Sequence, residues 1–210
     1  DTTTATNASH SLSARARDAA GNTATSAART VMVSNTAAPP ATLPSTLGWH
    51  AIPNTKLRTV CPNPSPAGTN CANVVLAWSG GIADTTRNRL IVWGGGHADY
   101  AGNEIYALNL SNGTISRITN PSTPGACPGT FESYADGTPG SRHSYAGLTY
   151  IEHADRLFTY AGSLWCSGNG SSDTWTYSFA TGAWQHMNPS GFSMPGAAGG
   201  NRAAYDPNTK

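Results

Sequence analysis

At 210 residues the chain is long enough to bury a sizeable core, and its length fits one or two domains. A formal net charge of +1, with only 11% charged residues, gives no electrostatic case for nucleic-acid binding, which requires clusters of Lys and Arg that the sequence lacks. No stretch approaches the roughly 18 apolar residues of a membrane span, so membrane insertion is not expected.

Residues 1–35 carry two short strand patterns. Small or apolar residues alternate with polar ones over residues 12–17, which is the period of a half-buried strand. Turn residues follow at 18–22, and two valines within residues 31–33 mark a second strand. Two strands make a hairpin rather than a domain, so further strands are expected upstream.

These two strand patterns resemble the last two strands of the immunoglobulin-like modules common in bacterial surface and secreted proteins, in which a turn similar to ARARDAAGN at 14–22 precedes the final strand. A sandwich of this kind needs on the order of 100 residues. The resemblance therefore implies the C-terminal strands of an Ig-like domain, with the sequence beginning inside that domain.

Residues 36–46 contain three prolines among small residues and show no periodicity. This composition is typical of a semi-rigid linker and marks a domain boundary. Residues 47–210 are therefore expected to fold separately from residues 1–35.

An internal repeat organises residues 47–210. Each copy has an apolar strand that begins with Arg-Leu and reaches a glycine, RLIVWGGG at 89–96 and RLFTYAGS at 156–163. A variable loop follows, and then come an aromatic strand, a glycine turn and a last strand. Four strands in about 45–50 residues is the size of one propeller blade.

The glycines after the second strand and the aromatic third strand, NEIY at 103–106 and DTWTY at 173–177, resemble kelch repeats of galactose-oxidase-like propellers. The resemblance implies an all-β chain, with about two full four-stranded blades of a partial kelch-type β-propeller after a two-strand remnant of an Ig-like sandwich. Residues 48–53 align with the end of the second copy as a lone outer strand, and residues 199–210 resemble the start of a third blade. Propellers close with about four to eight blades, so the remaining blades of a longer chain are expected as partners.

Candidate site residues fall on one face of this expected fold. In a four-stranded meander, the loop after the second strand and the connection to the next blade emerge on the same side, because strand direction alternates. His97, Asp99 and Tyr100 lie in the first kind of loop, and Arg142 and His143 follow the second kind. The kelch topology therefore implies that they meet at one mouth of the propeller.

Four cysteines lie in connections on that same face. None belongs to a Cys-x-x-Cys pattern, and an even number in a chain rich in Thr, Ser and Gly indicates two disulfides in an oxidising compartment. Three pairings are open from the count alone. The blade topology favours Cys61 with Cys71 and Cys127 with Cys166, since neither bridge then crosses a sheet. The protein is expected to be secreted or at the cell surface.

His97, Tyr100, Arg142 and His143 are the predicted catalytic residues. His and Tyr act as general base and acid, and Arg holds a carboxylate bidentately. A uronate polysaccharide lyase needs this set, and the residue types resemble those of some propeller lyases. The structural alternative is that these residues end strands, cap turns or pack at the rim.

Asp99, Asn103 and Trp165 are the predicted ligand-binding residues, with Trp165 as a platform for a sugar ring. The leading functional prediction is therefore binding or processing of an extracellular glycan at the loop face. A non-enzymatic propeller that binds other proteins is an open alternative.

The resemblance to galactose-oxidase-like propellers also implies a copper-radical oxidase as an alternative function. Such a site needs a Tyr cross-linked to a Cys and further Tyr and His ligands, and the chain shows no convincing Tyr-His pair. Copper binding through His97 and His143 is chemically allowed. No cofactor and no metal site are predicted.

Overall fold

The computed structural model describes residues 5–6, 8–33, 46–76, 78–97, 99–189 and 199–210. They belong to two compact units, one within residues 1–39 and one within residues 40–210. The described residues form antiparallel sheets, none closed, and their helix is limited to single turns, so the predicted all-β class is confirmed. None of these helical turns is long and apolar enough to cross a membrane. The predicted linker, residues 36–46, lies outside the described residues except for its last residue.

Four short strands make up the first unit: β1 (Ala8–Leu12), β2 (Arg15–Arg17), β3 (Thr23–Thr25) and β4 (Arg29–Val33). β1 pairs with β4 and β2 pairs with β3, both antiparallel. At the tip of the β2–β3 hairpin, the Asp18 carboxylate accepts hydrogen bonds from the backbone and side-chain N–H groups of Asn22, both 2.8 Å long. The predicted turn at 18–22 therefore closes the hairpin through its own side chains.

The single half-buried strand predicted over residues 12–17 is wrong. The chain leaves β1 after Leu12 and enters β2 at Arg15, and every residue of β2 and β3 is exposed. Alternating alanines offer too little apolar area to require a buried face. Val33, at 7% exposure, is the one buried hydrophobic side chain among the described residues of this unit.

The second unit contains two larger sheets that follow each other along the chain. The first is a four-stranded antiparallel meander in which each strand pairs with the next. Its strands are β5 (Gly80–Asp84), β6 (Arg89–Trp93), β7 (Tyr106–Asn109) and β8 (Thr114–Arg117). The order of strands and turns is the one predicted for the first copy of the repeat.

The second sheet repeats this meander and adds one short strand. Its members are β9 (Arg142–His143), β10 (Leu148–Ile151), β11 (Arg156–Leu164), β12 (Gly170–Ser178) and β13 (Ala183–Met187). β10 to β13 pair in sequence order, while β9 pairs with the far end of β11 beyond a bulge near Gly162. The inner strand of this copy is thus broken into β9 and β10, and β9 lies next to the loop that follows β11.

A hydrophobic core joins the two sheets. Trp93 of β6 is completely buried, and its ring centroid lies 5.3 Å from that of Trp184 of β13. Aliphatic and aromatic side chains from both meanders complete the contact. The buried members are Ile82, Ile91, Trp93, Ile105, Ala107, Leu148, Tyr150, Leu157 and Tyr177.

Two disulfides join Cys61 to Cys71 and Cys127 to Cys166. These are the pairings that the meander topology favours. The second bridge ties the connection after β8 to the loop that follows β11. Because disulfides form and persist in oxidising compartments, the two bridges indicate a non-cytoplasmic protein.

Candidate functional site

Glycines bring the loop after β6 into direct contact with β9. A Cβ atom on Gly96 would lie 2.1 Å from the Cα of Arg142, closer than any non-bonded atoms approach. The backbone N–H of Gly95 donates a 3.0 Å hydrogen bond to the carbonyl of Arg142. Only glycine allows this approach, and it places His97 beside His143.

His97, Asp99 and His143, here called the His–Asp cluster, form the centre of the candidate site. The Nε2 of His143 donates a 2.6 Å hydrogen bond to Oδ2 of Asp99. The rings of His97 and His143 meet edge to face, with centroids 5.4 Å apart. His143 is 2% exposed, the Asp99 side chain is 34% exposed and His97 is exposed, so the cluster opens to solvent on the His97 side.

Two aromatic side chains flank His143. The ring centroid of Trp78 lies 5.4 Å from that of His143, and the ring centroid of Tyr145 lies 5.9 Å away. Trp78 is 68% exposed, which leaves much of its ring free to contact a ligand. Both residues adopt positive φ angles, 46° and 48°, so the backbone is strained on two sides of the cluster.

Sequence reasoning missed Trp78 and Tyr145. A signal was present, because each is followed by a small residue and a glycine at the start of its repeat copy, Trp-Ser-Gly and Tyr-Ala-Gly. Aligning the two copies places these aromatic residues at equivalent positions. Their approach to His143 depends on how the two meanders pack.

Burial dominates the electrostatics of His143. It lowers the pKa of the imidazole, while the hydrogen bond and the negative charge of Asp99 act in the opposite direction. The net pKa is below the ordinary value for histidine. The ring is therefore neutral at neutral pH and offers a lone pair to a proton or a metal ion.

The loop after β11 holds His97 in place. A Cβ on Gly168 would lie 2.5 Å from Nε2 of His97, so the backbone of this loop packs directly on the imidazole. The backbone N–H of His97 donates to the carbonyl of Ser163, 3.3 Å away, and His97 has a φ of +55°. Because Cys166 anchors the same loop to Cys127, the disulfide-linked connection supports the His–Asp cluster.

Arg142 does not face the cluster. Its guanidinium is completely buried and forms a 2.5 Å ion pair with Asp173. Further N–H groups donate to the carbonyls of Gly140 and Glu132. Successive side chains of a strand point to opposite sides, so Arg142 and His143 of β9 cannot serve one site. This placement does not fit the predicted catalytic role of Arg142, whose charge is already neutralised within the fold.

Tyr100 is also turned into the protein. It is 0% exposed, and its hydroxyl donates a 2.7 Å hydrogen bond to Oε1 of Glu104. Tyr106 donates to the same oxygen over 2.5 Å. Burial and the Glu104 carboxylate raise the pKa of Tyr100 well above its ordinary value. The predicted role of Tyr100 as a catalytic acid or base does not fit this environment.

Asn103 and Trp165 occupy structural positions as well. Asn103 is 2% exposed, and its amide donates to Thr138 and to the carbonyl of Pro139. It borders a separate cleft of about 360 Å³ that Trp184 also lines. Trp165 is 5% exposed, so its ring faces are covered and unsuited to stacking on a sugar. Of the predicted ligand-binding residues, Asp99 is the one that the structure brings to the cluster.

No protein-family model and no curated protein matches the chain.

Proposed function

We propose that the chain is part of a secreted, kelch-type propeller protein that binds an extracellular glycan at the His–Asp cluster and Trp78. The two four-stranded meanders joined by a common core support the propeller part of this proposal. The short strands β1 to β4 are consistent with the end of an Ig-like module upstream.

Contacts at the start of the third repeat copy support further blades. Asn201 donates to the carbonyls of Ser144 and Tyr160, and the backbone N–H of Ala203 donates to Ala146. Residues 201–203 are thereby hydrogen-bonded to the edge of the second copy, next to β10 and β11. Remaining blades of the same kind are the natural partners of the open sheet edges.

The exposed ring of Trp78 beside the His–Asp cluster is the observation that carries glycan binding. A sugar ring has an apolar C–H face that packs on an aromatic ring, and hydroxyl groups at its edge. The Asp99 carboxylate accepts hydrogen bonds from hydroxyl groups, and imidazole rings both donate and accept them. Trp78, Asp99 and the two histidines therefore offer both contacts within one small area.

Glycan binding to the 210-residue chain tests the proposal. We expect retention on a glycan array and an affinity loss of about tenfold or more in Trp78→Ala, since the substitution removes the apolar ring surface that the sugar would bury, at about 25 cal/mol per Å². Trp49→Ala is the matched control, because Trp49 is also an exposed tryptophan, at 104% exposure, and has no predicted role in the site. Circular dichroism verifies that both variants fold.

Equal affinities for the Trp78→Ala variant and the Trp49→Ala control contradict the assignment of Trp78. Absence of any glycan retention, combined with capture of a specific extracellular protein, favours the protein-interaction alternative instead.

Acid–base processing of a uronate glycan is the second candidate. It is favoured by the hydrogen bond between His143 and Asp99, since a carboxylate that orients a neutral imidazole is a common arrangement for a general base. The buried position of Arg142 leaves the uronate carboxylate without the cation that lyase chemistry was expected to use. Glycan binding is therefore the better supported function.

Unsaturated products of a lyase absorb in the ultraviolet, which gives a direct assay on uronate glycans. We expect any such activity to fall by at least about 100-fold in His143→Gln, within the contribution typical of general acid–base groups. His153→Gln, at an exposed position elsewhere, is the control. An activity that survives His143→Gln excludes this histidine as the base.

A further inference from the structure

We propose that His97, Asp99 and His143 bind a divalent transition-metal ion, with Zn²⁺ as the probe. Their ligand atoms, two imidazole nitrogens and one carboxylate oxygen, all lie within 4.8 Å of one another. Two histidines and a carboxylate are donors that Zn²⁺ and other first-row divalent ions accept. Three protein ligands leave an open coordination position for water or a ligand.

The distances are close to those that a bound ion needs. Ligand atoms at about 2.0–2.2 Å from a tetrahedral Zn²⁺ are separated by about 3.3–3.6 Å. The His143 Nε2 and the Asp99 Oδ2 are 2.6 Å apart. An ion bound to both atoms would replace the Nε2 proton, which the neutral ring would then carry on Nδ1, and would separate the two atoms slightly. His97 is exposed, and its ligand nitrogen lies within 4.8 Å of the ligand atoms of the other two residues.

The surrounding backbone holds the three side chains near these positions. The loop after β6 lies on β9 because Gly96 has no side chain, and Gly168 presses on the ring of His97. His97 itself has a φ of +55°, a strained conformation that persists where the fold enforces it. A hydrogen bond between Asp99 and His143 alone does not require a second imidazole held in this way.

A bound cation would also supply the positive charge that Arg142 does not provide. This step rests on the proposed glycan function. An ion next to His143 would lie near a sugar stacked on Trp78, and a carboxylate or hydroxyl oxygen of that sugar would fill the open coordination position. The metal therefore favours acidic glycans over neutral ones as ligands.

Calorimetric titration of Zn²⁺ into the metal-free 210-residue chain tests the site. We expect one ion per chain and affinity losses of at least about tenfold in His97→Ala and in Asp99→Asn, since each removes a ligand while leaving buried His143 intact. His153→Ala is the control, because it removes an exposed histidine far from the cluster in sequence. It should leave the affinity unchanged.

Cu²⁺ provides a readout that a purely structural role would not alter. The electron paramagnetic resonance spectrum of the Cu²⁺-loaded chain should show coupling to two imidazole nitrogens, and His97→Ala should reduce this to one. A folded chain that binds Zn²⁺ no more tightly than its His97→Ala variant overturns the metal site.

Metal and glycan binding fail separately in these experiments. If the glycan stays bound in the presence of a chelator and calorimetry shows no Zn²⁺ binding, the glycan site is supported and the metal site is contradicted. If one Zn²⁺ ion binds per chain but no glycan is retained, the metal site is supported and the proposed function is contradicted. Loss of acidic-glycan binding on chelation, restored by Zn²⁺, supports both.

Discussion

At the scale of single residues, burial and neighbours separate side chains that are adjacent in the sequence. His143 reaches Asp99 and the exposed side of the site, while Arg142 pairs with buried Asp173. Asp99 is partly exposed, while Tyr100 is buried against Glu104. In both pairs of sequence neighbours, the residue type indicates what the side chain can do chemically. The direction of the side chain decides whether it is accessible from solvent or stabilises the fold.

The ion pair of Arg142 with Asp173 should stabilise the fold. We expect Asp173→Asn to lower the free energy of unfolding by about 3–5 kcal/mol, because the substitution leaves a buried guanidinium without its counterion. Urea denaturation measures this change, and Asp206→Asn, at an exposed carboxylate, is the control. If Asp173→Asn leaves the stability unchanged but abolishes glycan binding, Arg142 has a role in glycan recognition instead.

At the scale of elements, turns and loops connect the two meanders. The loop after β6 packs on β9, and the turn between β5 and β6 reaches the second sheet through Arg87. Its guanidinium binds Asp155 at 2.5 Å, and Tyr150 donates to the same carboxylate. These contacts fix how the sheets meet and therefore where the His–Asp cluster forms.

The contact of Arg87 with Asp155 should give a pH-dependent contribution to stability. The hydrogen bond from Arg87 holds the pKa of Asp155 below its ordinary value, with help from Tyr150 and Arg89. A carboxyl group whose pKa is lower in the folded state stabilises the fold above its unfolded pKa, and this contribution is lost as pH falls through the folded pKa.

Asp155→Asn should therefore lower the free energy of unfolding by about 1 kcal/mol at pH 7, the upper range for partly exposed ion pairs. The difference from the unmodified chain should shrink as pH is lowered below about 4, the ordinary range for aspartate. Denaturation at several pH values measures it, with Glu152→Gln, an exposed carboxyl group nearby, as the control. A deficit that is the same at pH 7 and at pH 3 contradicts this account.

At the scale of the whole molecule, the repeat organises both the fold and the site. Neither meander contains the His–Asp cluster alone, since His97 and Asp99 follow β6 of the first sheet and His143 lies in β9 of the second. The second disulfide and Gly168 add support from the next loop. A site assembled between repeats can acquire new side chains without disturbing either core, which is the usual relation of function to such scaffolds.

Periodicity and turn residues were enough to predict the β class and the two four-stranded copies. The favoured disulfide pairing and the neighbourhood of His97 and His143 followed from the blade topology that the kelch resemblance implies. These features depend on local spacing and on the alternation of strand direction, both of which are visible in the amino-acid order. The burial of Arg142, Tyr100 and Trp165 was not visible there. The approach of Trp78 to His143 was not visible there either. The burial of these residues and this approach depend on how two separate sheets pack. Long-range packing decides which polar groups are exposed to solvent. It therefore decides which of several chemically suitable residues form the site.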